Sequence, residues 1–239
     1  MDVLRMIKPY YSTELGRLYH GLYLDIMPEI NKVDLILTDP PYKIHAKSGG
    51  GLHSNRDWLH NIANAELDEF NPTVFLSKLK QYCNHAYIFS SKNLLKEYIA
   101  WLDINNLSWD LIIMSKNNPI PTKNNKYLSD KEYCFFIRGK DCYFNNNLSY
   151  DFYRSVKKVS VTPNTYHPCQ KDIGFINELL MISTKPEHIV LDLFAGSGTT
   201  GVACERLNRR YILIEKEEQY AEIAAKRIES EASQLKLFT

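Results

Sequence analysis

Residues 189–201 read Ile-Val-Leu-Asp-Leu-Phe-Ala-Gly-Ser-Gly-Thr-Thr-Gly. An apolar run, Val190 to Leu193, meets a tight glycine turn at Gly196 to Thr200 and passes directly into a helical pattern, Thr200 to Leu207. Strand, glycine turn and helix in unbroken succession is a building unit of a parallel α/β layer, and few other folds accept it. Gly196 and Gly198 let the backbone approach a ligand with no Cβ in the way. The helix start offers free N–H groups and positive dipole charge to an anionic group. Glu215 ends the next apolar run, Tyr211 to Ile214. A carboxylate there can accept both hydroxyls of a ribose. Gly196, Gly198 and Gly201 also satisfy G-x-G-x-x-G, a loose pattern, so dinucleotide and S-adenosylmethionine readings both remain open.

The rest of the chain repeats the alternation. Val33 to Thr38, Ala86 to Phe89, Trp109 to Met114 and Tyr133 to Ile137 are short apolar runs that predict strands. Helical patterns cover Phe75 to Tyr82, Leu94 to Leu102, a segment opening at Asp172, and Gln219 to Ile228. The pattern predicts an α/β fold with a doubly wound, mostly parallel sheet and helices on both faces. With 239 residues, 44% of them hydrophobic, the whole chain 1–239 reads as a single domain. Residues 43–72, which include Ser48-Gly49-Gly50-Gly51, are too long for an ordinary connection and predict a functional loop. No apolar run reaches the length of a membrane span, and the first sixteen residues lack the pattern of a secretory signal. Five scattered cysteines without a C-x-x-C pair, and histidines without H-E-x-x-H, predict reduced thiols, a cytoplasmic protein and no metal.

Thr38-Asp39-Pro40-Pro41-Tyr42 stands where ligands collect in such sheets, at the carboxyl end of a strand. An exocyclic amine on a nucleobase is a poor nucleophile because its lone pair delocalises into the ring. Two acceptors on its N–H bonds, the Asp39 carboxylate and the Pro40 carbonyl, can draw the nitrogen toward tetrahedral geometry. Pro40 and Pro41 fix φ and carry no N–H, so the turn is stiff. Tyr42 offers a flat face for the base. A paired base cannot reach such a turn and must be flipped out of the duplex.

With these residues in view, the chain resembles the DNA amino-methyltransferases that modify adenine or cytosine on the exocyclic nitrogen. The order of blocks, Asp-Pro-Pro-Tyr first and Phe194-Ala-Gly-Ser-Gly-Thr-Thr-Gly last, resembles the β group of that family. His167-Pro168-Cys169-Gln170-Lys171 is similar to its H-P-x-x-K-P block, and the likeness spans about residues 18–228. Leu22 stands where the family usually has Asp after Gly21, Asp172 replaces a proline, and Leu193 replaces another. The resemblance implies a Rossmann-like methyltransferase sheet and S-adenosylmethionine as cofactor. It implies direct methyl transfer to adenine in DNA, which an Asp-headed block favours over cytosine; the exocyclic amine of cytosine in DNA and adenine in RNA are the alternative substrates, and an NAD-linked oxidoreductase leaves Asp-Pro-Pro-Tyr unexplained. It assigns catalysis to Asp39, Pro40, Pro41 and Tyr42. It assigns cofactor binding to Asp39, Asp192, Phe194, Ala195, Gly196, Ser197, Gly198, Thr199, Thr200 and Glu215, together with His167 and Lys171.

Double-stranded DNA as partner requires a basic face. Between Ile112 and Ser160 there are nine Lys and Arg against four Asp and Glu, an excess of five in a chain whose net charge is +1. Lys116, Lys123, Lys126, Arg154, Lys157 and Lys158 are the expected phosphate contacts. Residues 141–166 are the expected target-recognition segment and 43–72 the lid over the base. So small a recognition segment implies a homodimer, and the family implies a cognate restriction endonuclease.

Overall fold

The structure is a computed structural model and describes residues 7–41, 70–117, 127–159 and 171–236. All its strands join one sheet. They are β1 (Tyr11–Ser12), β2 (Gly16–His20), β3 (Leu35–Thr38), β4 (Ala86–Ser90), β5 (Ser108–Lys116), β6 (Lys131–Arg138), β7 (Val156–Val159), β8 (Ile189–Asp192) and β9 (Arg210–Glu215). Their order is β1-β2-β9-β8-β3-β4-β6-β5-β7. The sheet is mixed: β1 and β6 run against their neighbours, and every other pairing is parallel.

Among the described residues, the α-helices that cover it are α1 (Tyr23–Ile26), α2 (Pro72–Leu79), α3 (Leu95–Ile104), α4 (Ile173–Ser183), α5 (Thr199–Leu207) and α6 (Glu218–Lys236). Side-chain alternation along the strands sorts them into two layers. Leu35, Leu37, Tyr211 and Leu213 face Phe175, Leu179, Val202, Ala224 and Ile228 of α4, α5 and α6. Ile36, Ile212 and Ile214 face Ile26, Phe75, Leu76, Tyr98 and Leu102 of α1, α2 and α3. The central strands are apolar on both faces, as a strand covered by helices on both sides requires.

Local chemistry fixes the helix starts. Asn71 caps α2 by accepting from Thr73 N and Val74 N, with Pro72 at the first helical position. Asp172 caps α4, its Oδ1 accepting from Phe175 N at 2.8 Å, a task that a proline there could not perform. Gly201 lies so close to α6 and β9 that an added Cβ would sit 2.7 Å from Ile228 Cδ1 and 2.7 Å from Leu213 Cδ1. That fit seats α5 between them.

Every strand expected from sequence is present. β1, β2 and β7 were not expected, and β7 lies inside 141–166, where no periodicity is visible. Strand β8 ends at Asp192 rather than Leu193, α2 occupies 72–79 rather than 75–82, and α6 runs on to Lys236. Tyr42, His167, Lys123, Lys126 and nearly all of 43–72 lie outside the described residues.

Candidate active site

β3 pairs with β8 in parallel, Leu35 opposite Val190 and Ile36 opposite Leu191. The two strands therefore deliver Asp39 and the glycine turn to the same end of the sheet, side by side. From β8 the chain winds outward to β9, and from β3 it winds the other way to β4. Such a reversal opens a crevice beyond the strand ends.

On the β8 side, Thr38 Oγ1 donates to Asp192 Oδ1 at 3.0 Å and accepts from Leu193 N at 3.3 Å. Phe194 N donates to Asp192 Oδ1 and Thr200 Oγ1 to Asp192 Oδ2. With three donors the Asp192 carboxylate ties β3, the turn and α5 into one unit, and burial pushes it up to about 6. Gly196 and Gly198 take φ of +52° and +78°, which side chains rarely accept. Glu215, 8% exposed, accepts from Gly196 N through Oε2 at 2.6 Å and from Glu217 N through Oε1 at 2.9 Å. Arg227 of α6 donates to Ser197 O, Ser197 Oγ and Thr199 Oγ1, bracing the turn from behind.

β2 brings a wall that sequence reasoning missed. His20 lies opposite Glu215, and Gly21 N donates to Glu215 O at 2.9 Å. Gly21 and Leu22 thus stand beside Glu215, while Asp25 is exposed. Tyr23 packs on Phe194 at 5.0 Å, and Phe70 and Phe75 complete an aromatic group around it. The signal was faint: Gly21 breaks the run Leu18-Tyr19, but Arg17 and His20 hide the strand.

On the β3 side Asp39 is half-buried, Pro40 buried and Pro41 half-buried. No backbone N–H among the described residues donates to the Pro40 carbonyl. Asp39 Oδ2 accepts from Lys171 Nζ at 2.6 Å. Burial pushes the Asp39 carboxyl up and Lys171 pulls it down, burial being the larger effect. Lys171 thus joins the Asp39 side of the crevice. Lys116 pairs with Glu132 at 2.5 Å, and Glu132 stands 3.6 Å from Lys171.

The expected DNA contacts divide. Lys158 and Arg154 are exposed, and Arg154 pairs with Asp151. Lys157 is turned inward onto Asp151 O, Phe152 O and Glu178 Oε2.

The model of a family described as DNA methylase, covering its N6 and N4 enzymes, matches residues 33–226. Type II methyltransferase M2.LlaDCHI of Lactococcus lactis subsp. cremoris is 30% identical over 95% of this chain and 94% of its own length. Type II methyltransferase M2.DpnII of Streptococcus pneumoniae is 27% identical over 95% and 94%. The crystal structure of an M1.HpyAVI–SAM complex superimposes with a TM-score of 0.66 at 27% identity, over 90% of this chain and 100% of that one. The structure of PvuII DNA methyltransferase (cytosine-N4-specific) gives 0.70 at 17% identity, over 96% and 95%, a likeness of fold. A match that runs through both strand ends and the crevice between them settles the family, and the chain belongs to the N6/N4 DNA methylases.

Proposed function

We infer that this DNA methylase moves a methyl group from S-adenosylmethionine to the exocyclic amine of an adenine flipped out of duplex DNA. The observation that carries the reading is the pairing of β3 with β8, which sets the Asp39–Pro40 acceptors beside the glycine turn. The turn suits the cofactor: two left-handed glycines clear its approach, and the Glu215 carboxylate stands at the turn, bonded to Gly196 N, where a ribose would lie. Ala195, Ser197, Thr199 and Thr200 shape the turn, and Phe194 with Tyr23 walls it. Bound there, S-adenosylmethionine supplies a methyl group on a sulfonium, whose departure needs no covalent enzyme intermediate.

The chain's own residues act on the amine. Asp39 Oδ1 and the Pro40 carbonyl accept its two N–H bonds and draw the lone pair out of the ring. Pro41 stiffens the turn, and Tyr42 stacks on the base. The effect is positioning and charge placement in a site prepared beforehand. His167 belongs near the methionine end of the cofactor.

Residues 43–72 act as lid and 141–166 as recognition segment within one domain. A homodimer enlarges the reading surface, a cognate endonuclease cleaves the unmethylated site, and the setting is the cytoplasm. No helix among the described residues is long and apolar enough to cross a membrane.

Labelled methyl transfer to duplex DNA, followed by nucleoside analysis, tests the reading. N6-methyladenine is the expected product. Asp39→Ala is expected to abolish transfer while cofactor binding persists. Full transfer by Asp39→Ala, or label found only in RNA, would overturn it.

A further inference from the structure

The two oxygens of the Asp39 carboxylate stand in different surroundings. Oδ2 is held by Lys171 Nζ at 2.6 Å. Oδ1 is buried and, among the described residues, has no hydrogen-bond partner. Lys171 reaches Asp39 from the approach to α4, 132 residues away in sequence. Its ammonium lies 4.9 Å from the centre of the Phe89 ring on β4 and 3.6 Å from Glu132 Oε2 on β6. Glu132 Oε1 is in turn 2.5 Å from Lys116 Nζ on β5. Positive and negative groups thus alternate across the sheet end, Lys116, Glu132, Lys171, Asp39. Lys171 and Asp39 are the more enclosed of the four, with side chains 12% and 22% exposed.

We propose that Lys171, steadied by Glu132, is a positioning residue that pins Asp39 through Oδ2 and so presents Oδ1 alone to the target amine. The proposal rests on the amino-methylation reading above. A carboxylate turns broadly about its last torsion, and an unpinned one would share its lone pairs among several orientations. A charge-assisted bond to one oxygen removes that freedom. It also keeps the group an acceptor, since a protonated carboxyl would meet the amine donor with a donor. The groups facing Asp39 are Lys171 ahead of α4, Glu132 and Cys134 on β6, Asp192 on β8 and Tyr98 on α3. Lys171 is the one cation in that set. Glu132 anchors it, and Lys116 offsets the repulsion that a bare Glu132 would exert on Asp39.

The test compares the full-length protein with Lys171→Met, Lys171→Arg and Glu132→Gln. Cofactor affinity is read by calorimetry, and single-turnover transfer to duplex DNA across pH. Lys171→Met is expected to lower the transfer rate at neutral pH by about tenfold or more, the scale of one lost charge-assisted bond. Its cofactor affinity stays unchanged. The acid limb of its rate profile moves to higher pH, because Asp39 has lost the charge that holds its proton off. Lys171→Arg recovers part of the rate and keeps the acid limb near its original place. Glu132→Gln slows transfer less than Lys171→Met does, again with unchanged cofactor affinity. Should Lys171→Met fail to fold, Lys171→Gln takes its place with the same expectations. An unmoved acid limb in the neutral variant would overturn the proposal. So would a loss of cofactor affinity that accounts for the whole rate defect, which would put Lys171 in the cofactor site instead. An inactive parent protein would sink the methylation reading itself, an outcome distinct from both.

Discussion

Asp192 and Asp39 end neighbouring strands, yet three donors satisfy the first while one oxygen of the second is held in reserve. The difference separates a carboxylate that builds the turn from one left free on Oδ1 for the proposed role of meeting the target amine. At the opposite end of β4, His85 shows what an unsatisfied buried group costs. It is 1% exposed, both its ring nitrogens lack partners among the described residues, and Phe136 packs edge-on at 5.6 Å. Burial pulls its pKa down to about 4, helped by Arg138 and His188 and opposed by Asp34. A base whose folded pKa is depressed gives stability that is present above pH 6.5 and lost as pH falls toward 4. The full loss is about 3 kcal/mol. Asp192 has the opposite sign: its raised pKa favours the folded state at low pH, and that stability is lost as pH rises through 6. Denaturant midpoints of His85→Phe against the parent isolate the histidine. The variant is expected to lose less stability between pH 6.5 and 4.5, and parallel curves would refute the assignment. The position of Asp39 at the crevice was legible because an apolar run stopped by two prolines marks a strand end. Its bond to Lys171 was not, since no spacing in sequence announces a contact made by separate elements.

At the scale of elements, α6 does more than cover the sheet. Its Arg227 ties Ser197 and Thr199 from behind, so the shape of the turn depends on a helix packed against its back. Arg227→Ala is expected to weaken cofactor binding about tenfold, the worth of one to two hydrogen bonds, while the thermal midpoint falls by only a few degrees. Calorimetry with cofactor and a melting curve check this, and unchanged affinity would remove the bracing role. The amphipathic pattern of α6 was readable, its grip on the turn was not. Apolar runs gave away β3, β4, β8 and β9 because strands buried on both faces must be apolar throughout. β2 and β7 escaped for the complementary reason. Gly-Arg-Leu-Tyr-His and Val-Lys-Lys-Val carry charge within the strand, and tertiary pairing with β9 and β5 decides their state.

Over the whole molecule a net charge of +1 gives no general attraction to DNA, so the proposed DNA contact draws on the local excess near β5 to β7. The structure divides that excess. Lys157 spends its ammonium on Glu178 at 2.7 Å and on two carbonyls at 3.0 Å, which locks the turn at Tyr150–Tyr153 onto α4. Lys158, next in sequence, points to solvent. The two lysines should therefore fail differently. Each phosphate contact releases counterions, so loss of one reduces the slope of log affinity against log salt by about 0.9. Lys158→Ala is expected to lower that slope by about one contact at unchanged melting temperature. Lys157→Ala is expected to leave the slope alone and lower the melting temperature, because it unties an internal bond. Fluorescence anisotropy with a labelled duplex at several salt concentrations, beside thermal melts, reads both. The reverse assignment, a flatter slope for Lys157→Ala and a lower melting point for Lys158→Ala, would mean that the DNA lies across α4 rather than along the exposed edge of β7.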